Sequence, residues 1–249
     1  MSPPLSISIV TLFPSLFQSW LSGGVVSRAQ ERGLVGIDLV NLREFGVGRH
    51  LVADDYPFGG GPGMVLKPEP IFAAVESLAL NPDVPVILMS PRGRRFDQAV
   101  ARDLAAFNQF VLLAGHYEGV DERVREHLVT DELSIGDYIL SSGELPAMVV
   151  ADAVVRLVPG ALSHGSAEEE SFSSGVLEYP QYTRPAMFRG WEVPPVLLSG
   201  HHGEVDRWRR EEALRITLER RPDLLECCEL SERDRQTLAR LRGEQNGAS

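Results

Sequence analysis

The stretch VPVILMSPRGRRFDQAVARDLAAFNQFVLLA, residues 84–114, decides the fold class. Two almost wholly apolar runs, 84–90 (VPVILMS) and 110–114 (FVLLA), flank residues 96–107, which read as a helix. A strand that is apolar at successive positions is covered on both faces, whereas a half-exposed strand alternates. Strand, helix and strand in succession predict a parallel pair joined by a crossover. Residues 5–10 (LSISIV) and 36–40 (GIDLV) read as further strands, and 138–140 as a short strand-like piece. Residues 15–21, 25–31, 68–79 and 147–157 read as helices, with Pro68 near the first turn of its own. The prediction is an α/β fold with a parallel sheet between helical layers.

After Pro159-Gly160 this alternation stops. Residues 162–180 are small and polar and read as a linker. Helical patterns return at 205–220, 222–228 and 231–242, with Ser231 and Asp234 spaced as an N-cap with an acidic first turn. The expected organisation is an α/β domain over 1–161, a linker over 162–180 and a small all-helical domain over 181–249.

The chain has 249 residues, 43% of them hydrophobic. No apolar run reaches the ~18 residues of a membrane span, and the N-terminus lacks the marks of a signal peptide, so no membrane partner is expected. Cys227 and Cys228 are adjacent and form no C-x-x-C pattern, which fits a cytoplasmic protein. His201 and His202 face different ways and make a poor ligand pair, so no metal site is predicted. The net charge is −11, but residues 180–249 hold 12 arginines against 12 carboxylates. Arginine forks suit phosphates and base edges, and they equally pair with glutamates on solvated helices. Charge by itself leaves both readings open.

Four loops hold candidate chemistry. Residues 57–64 (PFGGGPGM) place four glycines within five residues, which lets a flat ligand approach backbone. The loop lacks the G-K-[ST] ending of a P-loop and the strand–helix setting of a dinucleotide loop. Residues 90–95 (SPRGRR) suit either phosphate contact or a plain polar turn. In residues 114–124 (AGHYEGVDERV), Gly115, Tyr117 and Glu118 suit ligand contact, while Asp121 to Arg123 suit the first turn of a helix. Residues 133–148 (LSIGDYILSSGELPAM) form a loop rich in exposed backbone groups, the natural partners of adenine edges and ribose hydroxyls.

GGGPGM, LAGHYEGVDERV, SIGDYILSSGELPAM and YPQYTRP followed by VPPVLLSGHH occur in this order. Together they closely resemble the bacterial tRNA (guanine-N1)-methyltransferase family of the knotted SPOUT class. The resemblance covers nearly the whole chain, from VTLFP to the C-terminal helices. It implies methyl transfer from S-adenosylmethionine to N1 of the guanosine at tRNA position 37. It further implies a deep trefoil knot in the α/β domain, a helical tRNA-binding domain, and a homodimer whose subunits share the active site.

The resemblance assigns the cofactor clasp to Leu88, Met89, Ser90, Gly115, Tyr117, Glu118, Ile135, Gly136, Tyr138, Leu140, Gly143 and Pro146. It assigns catalysis to Arg156, Glu170 and Glu118, and substrate contact to Gly61, Arg184 and His202. Two positions depart from some relatives: Leu88 replaces Tyr and Ser142 replaces Gly. The family's base is usually an aspartate before Ser-Phe; here Glu170 in EEESF stands there, with Glu169 beside it. Guanine N1 is a poor nucleophile until its proton leaves, so a base must reach it. Charge then grows on O6, where Arg156 would meet it. A bound Mg2+ is compatible with this chemistry, although no ligand cluster in the sequence calls for one. Two rival readings are a related enzyme acting on another RNA, and a non-catalytic RNA-binding module with a regulatory nucleotide site.

Overall fold

The computed structural model describes residues 5–162, 171–172 and 175–247. Contacts divide the chain into two units, Met1–His164 and Gly165–Ser249. The first carries β1 (Leu5–Thr11), α1 (Gln18–Leu21), α2 (Gly24–Glu31), β2 (Val35–Asn41), the short β3 (Asp54–Asp55) and β4 (Val65–Leu66), and α3 (Pro68–Glu76). It continues with β5 (Val86–Arg95), α4 (Gln98–Ala105), β6 (Gln109–Ala114), α5 (Glu122–His127), β7 (Asp131–Ser134) and α6 (Glu144–Val155).

Five strands form one sheet in the order β2-β1-β6-β5-β7, and every pairing in it is parallel. The apolar runs explain why. Ile7, Ile9, Ile87, Met89, Phe110 and Leu112 point to one face and pack with α2, α4 and α6. Val10, Val86, Leu88, Val111 and Leu113 point to the other and pack with α3 and α5. Side chains alternate across a strand, so only a sheet covered on both sides buries both sets. The α4 helix starts at Asp97, whose carboxylate accepts from the amides of Ala99 and Val100 at 2.9 and 3.0 Å.

Three local expectations change. Residues 138–140 are not a strand: Gly136 takes φ +148° and the Tyr138 amide donates to the Gly136 carbonyl, which turns the chain into a loop. The fifth strand is β7, Asp131–Ser134, too short and polar to read as one; its pairing with β5 places it in the sheet and buries Leu133 and Ser134. Residues 90–95, read as a loop, belong to β5, which bulges so that both Met89 and Arg94 lie opposite Leu133. Gly93 makes that passage, since a Cβ on it would sit 2.4 Å from the Glu132 carbonyl carbon.

The second unit contains β8 (Met187–Phe188), β9 (Trp191–Glu192), α7 (Pro195–Leu198), α8 (His202–Arg220), α9 (Leu224–Cys227) and α10 (Glu232–Gly247). The β8–β9 hairpin means that the unit is not all-helical. Its core joins Ala213 and Leu214 of α8 to Leu225, Leu238 and Leu241. Val176, from the expected linker, is buried in the same core. Ser231 and Asp234 cap α10 reciprocally: the Asp234 amide donates to the Ser231 hydroxyl, and the Ser231 amide to the Asp234 carboxylate. The Arg210 fork donates to the same carboxylate at 2.9 and 3.0 Å. That bonding outweighs burial and, with the Ser231 bonds, pushes the Asp234 carboxyl down to about 2.

Candidate functional site

Where β5 bulges after Met89, and where the chain leaves β6 and β7 in two loops, three segments surround a cavity of about 460 Å³. Open α/β sheets present their ligand crevices at this edge. The volume falls in the ordinary range for small-molecule sites. Leu88, Met89 and Ser90 line it from β5, Gly115, Tyr117 and Glu118 from the loop after β6, and Ile135, Gly136, Tyr138, Leu140, Gly143 and Pro146 from the loop after β7. The twelve residues expected in the cofactor clasp therefore surround one space.

The loops are fastened to each other through backbone. The Gly143 amide donates to the Gly115 carbonyl at 2.7 Å. His116 and Ser142 form an antiparallel bridge beside that bond. A Cβ on Gly143 would stand 2.7 Å from the Gly115 nitrogen and 2.9 Å from the Ala114 Cα. Only glycine permits this approach. Tyr117 adopts φ +57°, a strained conformation for a bulky residue that turns its ring outward.

The glycine-rich loop joins the same assembly. The Glu118 amide donates to the Met64 carbonyl at 3.0 Å, the Leu66 amide to Gly119 at 2.9 Å and the Asp121 amide to Leu66 at 3.0 Å. Gly63, at φ +81°, lies under the Glu118 side chain, where a Cβ would meet the carboxylate oxygen at 2.3 Å. Gly61 takes φ +130° in that loop and is not among the residues lining the cavity.

A charged wall escaped the sequence reading. Arg92, Glu122, Arg125 and Glu132 line the cavity together. Arg92 donates to Glu122 at 3.2 Å, and the Arg125 Nε donates to the same carboxylate at 2.6 Å. Hydrogen bonding from Arg125, with the charges of Arg125 and Arg92 behind it, holds the Glu122 carboxyl below its usual range. Glu132 faces Arg125 at 3.6 Å, leaving its Oε2 buried and unpartnered. His116 Nδ1 is likewise buried and unpartnered. Such atoms suit a ligand that carries its own donors. The signal for this wall was the DERV segment, which also reads as a capped helix start, and Asp121 does cap α5 by accepting from the Arg123 amide at 3.0 Å.

The remaining expected residues lie elsewhere. Arg156 follows the last residue of α6, ten positions beyond Pro146, so about 15 Å of helix separates it from the clasp. Arg184 and His202 are exposed in the second unit. Glu170 and its neighbour Glu169 lie outside the described residues.

Comparison with known sequences bears on this geometry directly. The pattern of the family described as tRNA (Guanine-1)-methyltransferase TrmD matches residues 5–227. The chain belongs to this family. It is 53% identical over 245 residues to a tRNA (guanine-N(1)-)-methyltransferase of Dehalococcoides mccartyi, covering 97% of this chain and 99% of that one. It is 55% identical over 244 residues to the enzyme of the same name from Halalkalibacterium halodurans, again covering 97% and 99%. A third such enzyme, from Pelotomaculum thermopropionicum, is 56% identical over 241 residues, 95% of this chain and 96% of the relative. The TrmD family match spans the clasp, the glycine-rich loop and most of the second unit. Among the described residues no helix is long and apolar enough to cross a membrane.

Proposed function

We propose that this protein transfers a methyl group from S-adenosylmethionine to N1 of the guanosine at position 37 of tRNA. The observation that carries the reading is the convergence of the β5 bulge and the loops after β6 and β7 on one cavity, with the two loops fastened by an approach of residue 143 to Gly115 that only glycine at 143 tolerates. S-adenosylmethionine supplies a sulfonium methyl that is already electrophilic. Backbone groups of Ile135, Gly136, Tyr138 and Leu140 suit the edge of its adenine, with Leu88 and Pro146 as apolar walls. Glu118, Glu132 and His116 offer acceptors to its polar groups.

The remaining chemistry falls to side chains outside the clasp. Glu170, or Glu169 beside it, accepts the N1 proton of guanine, and Arg156 donates to O6 as negative charge gathers there. Gly61 and its loop border the guanine, and Arg184 and His202 contact tRNA. Arg156 stands too far along α6 to serve the clasp on its own chain, which supports a homodimer in which each subunit's arginine completes its partner's site. A trefoil-knotted chain at the loops after β6 and β7, a linker between an α/β domain and a tRNA-binding domain, and action in the cytoplasm belong to the same reading. Mg2+ has no assigned ligands in it.

Single-turnover transfer of labelled methyl to a tRNA transcript with G at position 37, and to one with A there, tests the reaction. Methylation of the first alone, on guanine N1, is expected. Glu170→Gln should slow the step by roughly 10²–10⁴ and Arg156→Ala by roughly 10²–10³, with cofactor affinity preserved. An unchanged rate for Glu170→Gln would move the base to Glu169 or another group, and a catalytically active monomer would sink the shared site.

A further inference from the structure

The arginines of the second unit divide into two sets. Arg207, Arg210, Arg215, Arg221, Arg235 and Arg240 lie within 4.0 Å of carboxylates of the same unit. Two of these pairs, Arg210 with Asp234 and Arg240 with Glu211, join α8 to α10, and the other four lie within one helix or turn. The other six, Arg184, Arg189, Arg209, Arg220, Arg233 and Arg242, form no ion pair among the described residues, and two of them instead sit on aromatic rings: Arg189 over Phe188 at 5.2 Å and Arg209 over Tyr179 at 4.9 Å.

Arg189 lies at the tip of the β8–β9 hairpin. Phe188 pairs with Trp191 across it, and the connecting Arg189 and Gly190 take φ +54° and +85°, the two positive values of a tight primed turn. The Val193 amide closes its base by donating to Ala186 at 2.9 Å, two residues after Arg184. The hairpin shows its aromatic side outward: Phe188 is 55% exposed and Trp191 69%, with their ring centroids 6.2 Å apart. A two-stranded hairpin gains little by displaying large apolar rings to water, so the display points to a partner. Unpaired guanidinium groups beside exposed rings suit a polyanion with flat apolar faces, which describes unpaired nucleotides.

We propose that the β8–β9 hairpin is a base-stacking platform, on which Trp191 and Phe188 hold an unpaired nucleobase of the tRNA while Arg189 and Arg184 take the adjoining phosphates. The proposal rests on the tRNA-substrate reading above. The test measures binding of an unmodified tRNA transcript by the full-length protein at several salt concentrations. Trp191→Ala should raise the Kd about fivefold to a hundredfold with the salt slope unchanged, because stacking releases no counterions. Trp191→Phe should recover most of the affinity. Arg184→Ala should lower the salt slope by about 0.7–0.9, the signature of one lost phosphate contact. Cofactor affinity, measured by calorimetry, serves as the check on folding. Wild-type affinity for tRNA in Trp191→Ala overturns the platform. So does a loss of affinity accompanied by dissociation in the ultracentrifuge, which would make the hairpin a contact between copies of this chain. Failure of the wild-type protein to methylate any tRNA would strike instead at the reading on which the platform rests.

Discussion

Replacing Gly143 by alanine isolates the contact that closes the clasp. The native φ is −81°, so alanine brings no backbone strain at this position. Its methyl carbon, however, would stand 2.7 Å from the Gly115 nitrogen, 2.9 Å from the Ala114 Cα and 3.0 Å from the Ala114 carbonyl carbon. These are backbone atoms at a sheet strand's end and have no rotamer to escape into. Against the ~3.5 Å optimum of non-bonded contact, the loop must retreat by roughly 0.8 Å. That movement breaks the 2.7 Å bond from the Gly143 amide to Gly115, worth about 1 kcal/mol. The residual overpacking adds about 1–3 kcal/mol. The total of about 2–4 kcal/mol falls on the two loops, because Ala147 onward in α6 is anchored by its own buried face. Calorimetric titration with S-adenosylmethionine should show affinity reduced by about 30- to 1000-fold, with the α/β unit still folded by circular dichroism. Gly203→Ala, where nothing lies within 4 Å of the new methyl, provides the neutral control. Wild-type cofactor affinity in Gly143→Ala would refute the reasoning that the close approach shapes the site.

Two further predictions concern buried polar groups. Thr11 donates to the fully buried Glu144 carboxyl at 2.7 Å, and the other oxygen of Glu144 has no partner. Thr11→Val should therefore destabilise the α/β unit by about 2–3 kcal/mol in urea titration, and the double variant Thr11→Val/Glu144→Leu should recover part of that; equal midpoints for Thr11→Val and wild type would refute it. Asp234, held down at about 2 by Arg210 and Ser231, binds its proton less readily folded than unfolded, where a carboxyl sits near ~3.9. Its contribution, about 2 kcal/mol, is present in full above roughly pH 5 and is lost as the pH falls toward 2. Asp234→Asn should lower the stability of the second unit at pH 7 and narrow the gap to wild type on acidification; a gap that stays constant down to pH 2 would count against this origin.

The runs Val86 to Met89 and Phe110 to Leu113 were legible because both sheet faces are covered, so apolarity extends along them without a break, whereas Ser6 and Ser8 interrupt the first strand. The loops at 114–124 and 133–148 were legible as ligand loops through their glycines, while the individual residues expected in the clasp came from the family resemblance. Asp131–Ser134 was not, because its place in the sheet comes from pairing with β5 and not from its own polar side chains. The same pairing sets Glu132 opposite Leu88 and so builds the charged wall from residues that look like ordinary helix and strand ends. The hairpin at Met187–Glu192 was missed for a different reason: two-residue strands carry no period, and Arg-Gly is a weak turn signal beside Asn-Gly.

The seam between residues 63–66 and 118–121 has a thermodynamic meaning. Three backbone hydrogen bonds and the Glu118 side chain on Gly63 make the two segments one stiff piece. Whatever fixes Glu118 from the cavity side also fixes the glycine-rich loop, and whatever settles on that loop steadies Glu118. Coupling of this kind is reciprocal, so each ligand would raise the affinity for the other by the same factor. With the proposed methyl donor in the cavity and the acceptor on the glycine-rich loop, the two would then report on one another before any bond is made.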